Sequence, residues 1–128
     1  MENYDVLYLE DDPNQRMYVE RNMVRKNIPF ISCESLNELS DKLVDNNYKI
    51  FLLDGRFPEV KSERIQFNFP KAVSLIKEKY ENPKIILYSS EMNGQEMADE
   101  CGAEFCDKGD YYAEEIVEKL EKILLAED

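Results

Sequence analysis

The chain contains no histidine among its 128 residues. It therefore lacks the usual base that activates a serine or cysteine nucleophile, and it lacks the commonest zinc ligand. Its three cysteines (Cys33, Cys101 and Cys106) are an odd number, so they cannot all pair within the chain. Each stands beside apolar residues. We expect reduced, mostly buried thiols in a cytoplasmic protein.

Long hydrophobic runs and an excess of positive charge are also missing. No apolar run approaches the length needed to span a membrane, and the N-terminus has no basic-then-apolar export signal. Asp and Glu outnumber Lys and Arg by 28 to 16, which gives a net charge of −12. Because so acidic a surface repels phosphate backbones and anionic lipids, we expect the chain to bind neither nucleic acids nor membranes.

The residues that are present suit one folded domain. Hydrophobic residues make up 43% of the chain, enough for one core in a protein of this length. Short apolar runs alternate with longer amphipathic segments, a pattern typical of buried parallel strands covered by helices on both faces. The runs are Val6–Leu9, Phe30–Cys33, Ile50–Leu53, Ile85–Tyr88 and Phe105–Cys106.

The amphipathic segments begin with helix-start signals. Asp12 before Pro13 predicts an N-cap, and Gln15 is placed to close a capping box. Ser35 with Glu38 predicts a second box. Asn93 with Glu96 predicts a cap for a short fourth helix that Gly102 ends. Five strands alternating with five helices predict a doubly wound α/β sandwich.

Polar side chains follow the apolar runs. Ligands of such folds collect at the carboxyl ends of the strands, near the point where strand order reverses. Clustered carboxylates repel one another and favour a bound cation, and oxygen donors alone favour Mg²⁺ or Mn²⁺. A lysine and a hydroxyl beside such a carboxylate suit phosphoryl transfer. The residues at these positions are Glu10, Asp11, Asp12, Asp54, Ser89, Ser90, Asp107 and Lys108.

Four segments at the strand ends share one further pattern: LYLEDDP (Leu7–Pro13), FLLDGRFP (Phe51–Pro58), IILYSS (Ile85–Ser90) and CGAEFCDKG (Cys101–Gly109). In this order they resemble the CheY-like receiver domain of bacterial two-component response regulators over nearly the whole chain. The resemblance implies a single receiver domain over residues 1–128. It also implies a flavodoxin-like, five-stranded parallel sheet of order 2-1-3-4-5 with five helices.

The resemblance also implies a role for each site residue. Asp54 is the expected phosphoacceptor, which takes a phosphoryl group from a phosphohistidine of a partner. Glu10, Asp11 and Asp54 are the expected Mg²⁺ ligands (Mn²⁺ being an alternative), together with the backbone carbonyl of Arg56. Lys108 is expected to contact the phosphoryl group. The chemistry is self-catalysed phosphorylation and dephosphorylation, so the protein is expected to be a switch and not an enzyme.

The same resemblance implies the parts that sense and transmit phosphorylation. Ser89 and Phe105 correspond to the hydroxyl and aromatic switch residues. Gln15, Tyr18 and Asn22 on the first helix are candidate contacts for a sensor histidine kinase or a histidine phosphotransfer protein. The face of the fourth helix, fifth strand and fifth helix is expected to contact a downstream partner or output domain.

Three features depart from the family pattern or extend it. Gly109 stands where family members usually carry a proline after the lysine. The segment 57–69 is long for its position, and we interpret it either as a surface insertion or as a partner-contacting flap beside the site. Arg56 and Glu91 flank the expected phosphoryl site. We hypothesise that they form an ion pair that hinders the hydrolytic water.

Two other functions were considered. One is a pseudo-receiver, a protein-interaction module without phosphorylation. The other is a haloacid-dehalogenase-type phosphatase, which also forms an aspartyl phosphate with Mg²⁺. That family carries an Asp-x-Asp-x-Thr/Val element after its first strand, and the sequence Glu10-Asp11-Asp12-Pro13 does not match it.

Overall fold

Each of the five apolar runs forms a strand of one sheet. The computed structural model describes residues 3–126, without the side chain of residue 45, so the outermost positions of the expected domain, 1, 2, 127 and 128, lie outside the described residues. The elements are β1 (Val6–Leu9), α1 (Pro13–Arg25), β2 (Phe30–Cys33), α2 (Leu36–Asp45), β3 (Ile50–Leu53), β4 (Arg56–Pro58), β5 (Ile65–Phe67), α3 (Phe69–Lys79), β6 (Lys84–Ser89), α4 (Gly94–Cys101), β7 (Glu104–Asp107) and α5 (Ala113–Ala126).

The main sheet is parallel and has the order β2-β1-β3-β6-β7. This confirms the predicted order, with β6 and β7 as the fourth and fifth parallel strands. Strand order reverses at β1, and Leu9 of β1 pairs with Leu53 of β3. The residues that follow these two strands, Glu10 and Asp54, therefore leave the sheet side by side. Within the described residues, no helix is long and apolar enough to cross a membrane.

Side chains alternate between the two faces of the sheet and build a core on each. Leu7 and Leu9 of β1 belong to the cluster that contains buried residues of α2, α3 and α4. Val6 and Tyr8 belong to the cluster that contains buried residues of α1 and α5. All four residues of β1 are at most 1% exposed, which agrees with the continuous apolar run and fixes the strand's position.

The predicted helix starts are confirmed in position. The capping hydrogen bonds that were predicted there are only partly present. Asp12 caps α1, since its Oδ1 accepts from the amide of Asn14 at 2.9 Å. The predicted capping box of α1 forms only in part, since the amide of Gln15 donates to Asp12 Oδ1 at 3.4 Å. The Gln15 side chain does not close the box, because its Nε2 donates to the Asp12 carboxylate and the amide of Asp12 donates to Glu10 Oε2 at 3.3 Å. Asn93 stands at the cap of α4 without a side-chain cap bond. Gly102, with a φ of 69°, ends that helix as predicted.

The long segment after β3 contains a structured hairpin that the sequence analysis did not predict. Strands β4 and β5 form an antiparallel pair, with Arg56 opposite Phe67. Phe57 is fully buried, and its carbonyl accepts from the side-chain amide of Asn68 at 2.8 Å. The amide of Asn37 in α2 donates to the carbonyl of Glu59 at 2.9 Å. The hairpin is thus anchored at the rim of the sheet where the acidic residues lie.

Candidate functional site

Three carboxylates meet at the carboxyl end of the sheet. One oxygen each of Glu10, Asp11 and Asp54 lies within 4.8 Å of the others. The ends of β1 and β3 position them: the amide of Asp54 donates to the carbonyl of Leu9 at 3.0 Å. Glu10 is 1% exposed, while Asp11 and Asp54 are partly exposed. The structure therefore brings together the three side chains that the sequence singled out as ligands, and two of them, Asp11 and Asp54, are accessible from solvent.

Burial and mutual repulsion make this cluster electrostatically costly. Burial raises the pKa of Glu10 to about 8, with the Asp54 charge adding to the effect. Burial and the Asp54 charge also raise the pKa of Asp11. A bound cation would relieve the repulsion. The donor set is all oxygen, as a hard ion requires.

Lys108 supplies the positive charge that the cluster contains. Its Nζ donates to Glu10 Oε1 at 2.8 Å, to Gln15 Oε1 at 2.6 Å and to Asp54 Oδ2 at 3.4 Å. Its amide donates to the carbonyl of Ser89 at 3.0 Å, which ties the end of β7 to the end of β6. Burial lowers the pKa of Lys108, but the Asp54 and Glu10 charges outweigh it, and the pKa is raised. The ammonium is charged at neutral pH.

The end of β6 supplies a hydroxyl near the residue that follows Asp54. Ser89 is 3% exposed, and its Oγ accepts from the amide of Glu91 at 3.1 Å. A methyl group on Gly55, the residue after Asp54, would lie 3.3 Å from this oxygen. The predicted ion pair is also present, since Arg56 Nε donates to Glu91 Oε1. This pair spans the rim between β4 and the loop after β6.

Several solved structures similar to this one are receiver domains of response regulators. No family model matches the sequence, and no curated protein matches it. The Francisella response regulator 1452 receiver domain has a TM-score of 0.78 at 14% identity, over 98% of this chain and all of the other. Non-phosphorylated HemR from Leptospira biflexa has a TM-score of 0.77 at 19% identity, over 94% of each chain. This chain has the receiver-domain fold.

One similar response-regulator structure is a complex with Mg²⁺-BeF. The response regulator TrrA from Thermotoga maritima, in complex with Mg²⁺-BeF, has a TM-score of 0.73 at 22% identity, over 93% of this chain and 97% of the other. At these identities the likeness establishes the fold, and it confirms the fold expected from the sequence. The roles of individual residues are therefore inferred from the positions of their side chains at the carboxyl end of the sheet.

In this receiver fold the predicted switch residue Phe105 lies against the first turn of α4. Its ring is partly buried and packs on the core cluster beneath α2, α3 and α4. A methyl group on Gly94 would lie 2.2 Å from a ring carbon of Phe105. The ring thus occupies the space that a side chain at position 94 would need. The sequence analysis missed Gly94, because a glycine at a helix start carries no signal of a contact eleven residues later.

The predicted partner contacts on α1 are only partly available. Tyr18 is 56% exposed and, with Gln15, lines a cavity of about 380 Å³ between α1 and the start of α5. Asn22 donates its side-chain amide to the carbonyl of Tyr18 at 2.8 Å, within the same helix. The side chain of Gln15 is engaged by Lys108. Gln15 and Asn22 thus make side-chain hydrogen bonds within the domain, while the Tyr18 side chain is exposed at the cavity.

Proposed function

We propose that the protein is a phosphoacceptor switch of a two-component phosphorelay. The observation that carries this proposal is the convergence of Asp54 with Glu10, Asp11 and Lys108 at one edge of a receiver fold. A carboxylate oxygen of Asp54 attacks the phosphorus of a phosphohistidine on a sensor histidine kinase or a histidine phosphotransfer protein. The P–N bond breaks, a P–O bond forms, and the partner's imidazole leaves.

The carboxylate cluster fits a divalent cation. Glu10, Asp11 and Asp54 would hold Mg²⁺, or Mn²⁺, and the backbone carbonyl of Arg56 is a further candidate ligand. Three hard oxygen donors within 4.8 Å of one another suit such an ion. Burial and the Asp54 charge raise the pKa values of Glu10 and Asp11, and a bound cation would offset both effects. When bound, the ion would supply charge neutralisation for the phosphoryl oxygens.

The remaining residues stabilise the transferred group and report its arrival. The Lys108 ammonium lies beside Asp54 and would bind an oxygen of the phosphoryl group. It would partly neutralise the charge of about −2 that the whole group carries. The Ser89 hydroxyl would donate to a second oxygen. A change at Ser89 and Phe105 would then alter the surface formed by α4, β7 and α5, which a downstream partner reads. The protein thus acts as a switch that phosphorylates only itself, without turnover of a substrate.

We propose that residues 1–128 act as one domain in the cytoplasm. Cys33, Cys101 and Cys106 are free thiols in the described structure, which suits a reducing compartment. We place the donor's docking surface on α1 at Tyr18 and Asn22, next to the carboxylate site.

Two features favour the alternative of a pseudo-receiver that only binds partners. Gly109 follows Lys108 where the receiver family usually carries a proline, and the segment between β3 and α3 is long and contains a hairpin. The two functions differ in whether Asp54 accepts a phosphoryl group, and that difference is measurable.

The test is incubation with acetyl phosphate, with and without Mg²⁺, followed by intact-mass measurement. We expect the wild type to gain one phosphoryl group only with Mg²⁺, and Asp54→Asn to gain none. Asp41→Asn, at an exposed position in α2, is the matched control and should behave as the wild type. A wild type that gains no mass under any condition, and that binds no beryllofluoride, would identify the pseudo-receiver.

A further inference from the structure

The side chain of Lys108 depends on contacts to hold its ammonium at Asp54. Lysine has four rotatable carbon–carbon bonds, so an unanchored ammonium samples many positions. No cis peptide bond occurs in residues 3–126, and glycine, which leaves the backbone free, follows Lys108. The backbone turn is held locally, since the amide of Gly109 donates to Asp107 Oδ1 at 2.8 Å. This turn fixes the start of the side chain but not its end.

Three acceptors hold the ammonium, and Gln15 differs from the other two. Its Oε1 accepts from Lys108 Nζ at 2.6 Å, the shortest of the three contacts. Glu10 and Asp54 belong to the carboxylate cluster, and their oxygens are those that a divalent cation or a phosphoryl group would engage. The ring centroid of Tyr88 lies 5.5 Å from Lys108 Nζ, but among the hydrogen-bond acceptors of Lys108 in the described structure Gln15 alone is uncharged and outside that cluster. It can therefore keep its bond to Lys108 while the carboxylates bind something else.

The orientation of the Gln15 amide is determined by its neighbours on both sides. Its Nε2 donates to Asp12 Oδ2 at 3.3 Å, and a carboxylate can only accept. Its Oε1 faces an ammonium, which can only donate. Asp12 is itself fixed as the cap of α1. A chain of hydrogen bonds thus runs from the helix cap through Gln15 to Lys108. Gln15 and Lys108 are 93 positions apart in the sequence.

We propose that Gln15 is a positioning residue, which holds the Lys108 ammonium over Asp54 during phosphoryl transfer. This inference rests on the proposed phosphoacceptor function. It assigns Gln15 a role inside the site, where the sequence analysis expected a partner contact. Acetyl phosphate separates the positioning role of Gln15 from a partner-contact role. This small phosphodonor does not dock on α1, so its reaction should depend on Gln15 only if Gln15 positions Lys108.

The kinetic test measures phosphorylation of Asp54 by acetyl phosphate at saturating Mg²⁺. Gln15→Leu, which removes the acceptor, should lower the maximal rate about tenfold, as expected for the loss of one hydrogen bond to a charged group. The half-saturating concentration of Mg²⁺ should stay unchanged. Gln15→Glu keeps the acceptor for Lys108 but loses the bond to Asp12, so it should recover part of the rate. Asn14→Leu, at the exposed neighbouring position, is the matched control and should leave the rate unchanged.

A second measurement needs neither metal nor phosphodonor. In ¹⁵N-labelled protein a firmly held lysine ammonium exchanges its protons slowly, and we expect a Lys108 signal in the wild type that Lys108→Met removes. The signal should disappear in Gln15→Leu and return in Gln15→Glu. If it persists in Gln15→Leu, or if that variant phosphorylates at the wild-type rate, the proposal is wrong. If the wild type accepts no phosphoryl group, the phosphoacceptor function fails, and the ammonium signal alone decides whether Gln15 positions Lys108.

Discussion

The contact between Gly94 and Phe105 predicts that Gly94→Ala destabilises the protein, although alanine is the better helix former. Gly94 is the first residue of α4, and the added methyl group would lie at 2.2, 2.4 and 2.8 Å from three carbons of the Phe105 ring. Carbon atoms in van der Waals contact are about 3.5–4.0 Å apart, so the ring or the helix must move by roughly 1 Å or more.

Two opposing effects set the magnitude. Replacing glycine by alanine in a helix stabilises it by up to about 1 kcal/mol. Forcing an extra methyl group into a packed site costs about 1–3 kcal/mol. The steric effect is the larger one, because the contact is with a ring packed on the core and not with a mobile side-chain end. We therefore expect a net loss of about 1 kcal/mol in the free energy of unfolding.

A double-mutant cycle measured by urea unfolding tests this reasoning. In a Phe105→Ala background the clash is gone, so Gly94→Ala should be neutral or stabilising. The difference between the two backgrounds should be about 1–2 kcal/mol. If Gly94→Ala has the same effect in both backgrounds, the ring does not occupy the space beside Gly94 and the explanation fails.

Two further predictions concern the charges of the site. Without metal, the free energy of unfolding should fall as the pH rises from about 5 to 8. A carboxyl whose pKa is raised in the folded state, such as that of Glu10, stabilises the protein only while it is protonated. Urea unfolding midpoints measured in EDTA should therefore depend less on pH in Glu10→Gln than in the wild type. The Arg56–Glu91 ion pair lies at the rim of the site, so Arg56→Ala and Glu91→Gln should each shorten the lifetime of the phosphorylated form severalfold. Decay of the phosphorylated mass after removal of the donor measures this, and unchanged decay would exclude the role of the pair.

Local sequence patterns predicted the main elements well. The runs Val6–Leu9 and Ile50–Leu53 form strands with those same bounds, since continuous apolar residues are stable as strands only where both faces are covered. Asp12 caps α1 and Gly102 ends α4, because these roles depend on the residue and its nearest neighbours. The sequence patterns did not predict the β4–β5 hairpin. Its strands have three residues each, and Pro58 lies in one of them.

Local residue patterns were sufficient to predict the alternation of strands and helices, and with it the edge of the sheet where Glu10, Asp11 and Asp54 meet. Which side chains touch across that edge could be read only from the folded protein. The Gln15–Lys108 bond and the Gly94–Phe105 contact join residues on different elements, and no periodic pattern encodes them. Such contacts depend on the position of each helix over the sheet to within about 1 Å. Close packing of the whole core determines that position.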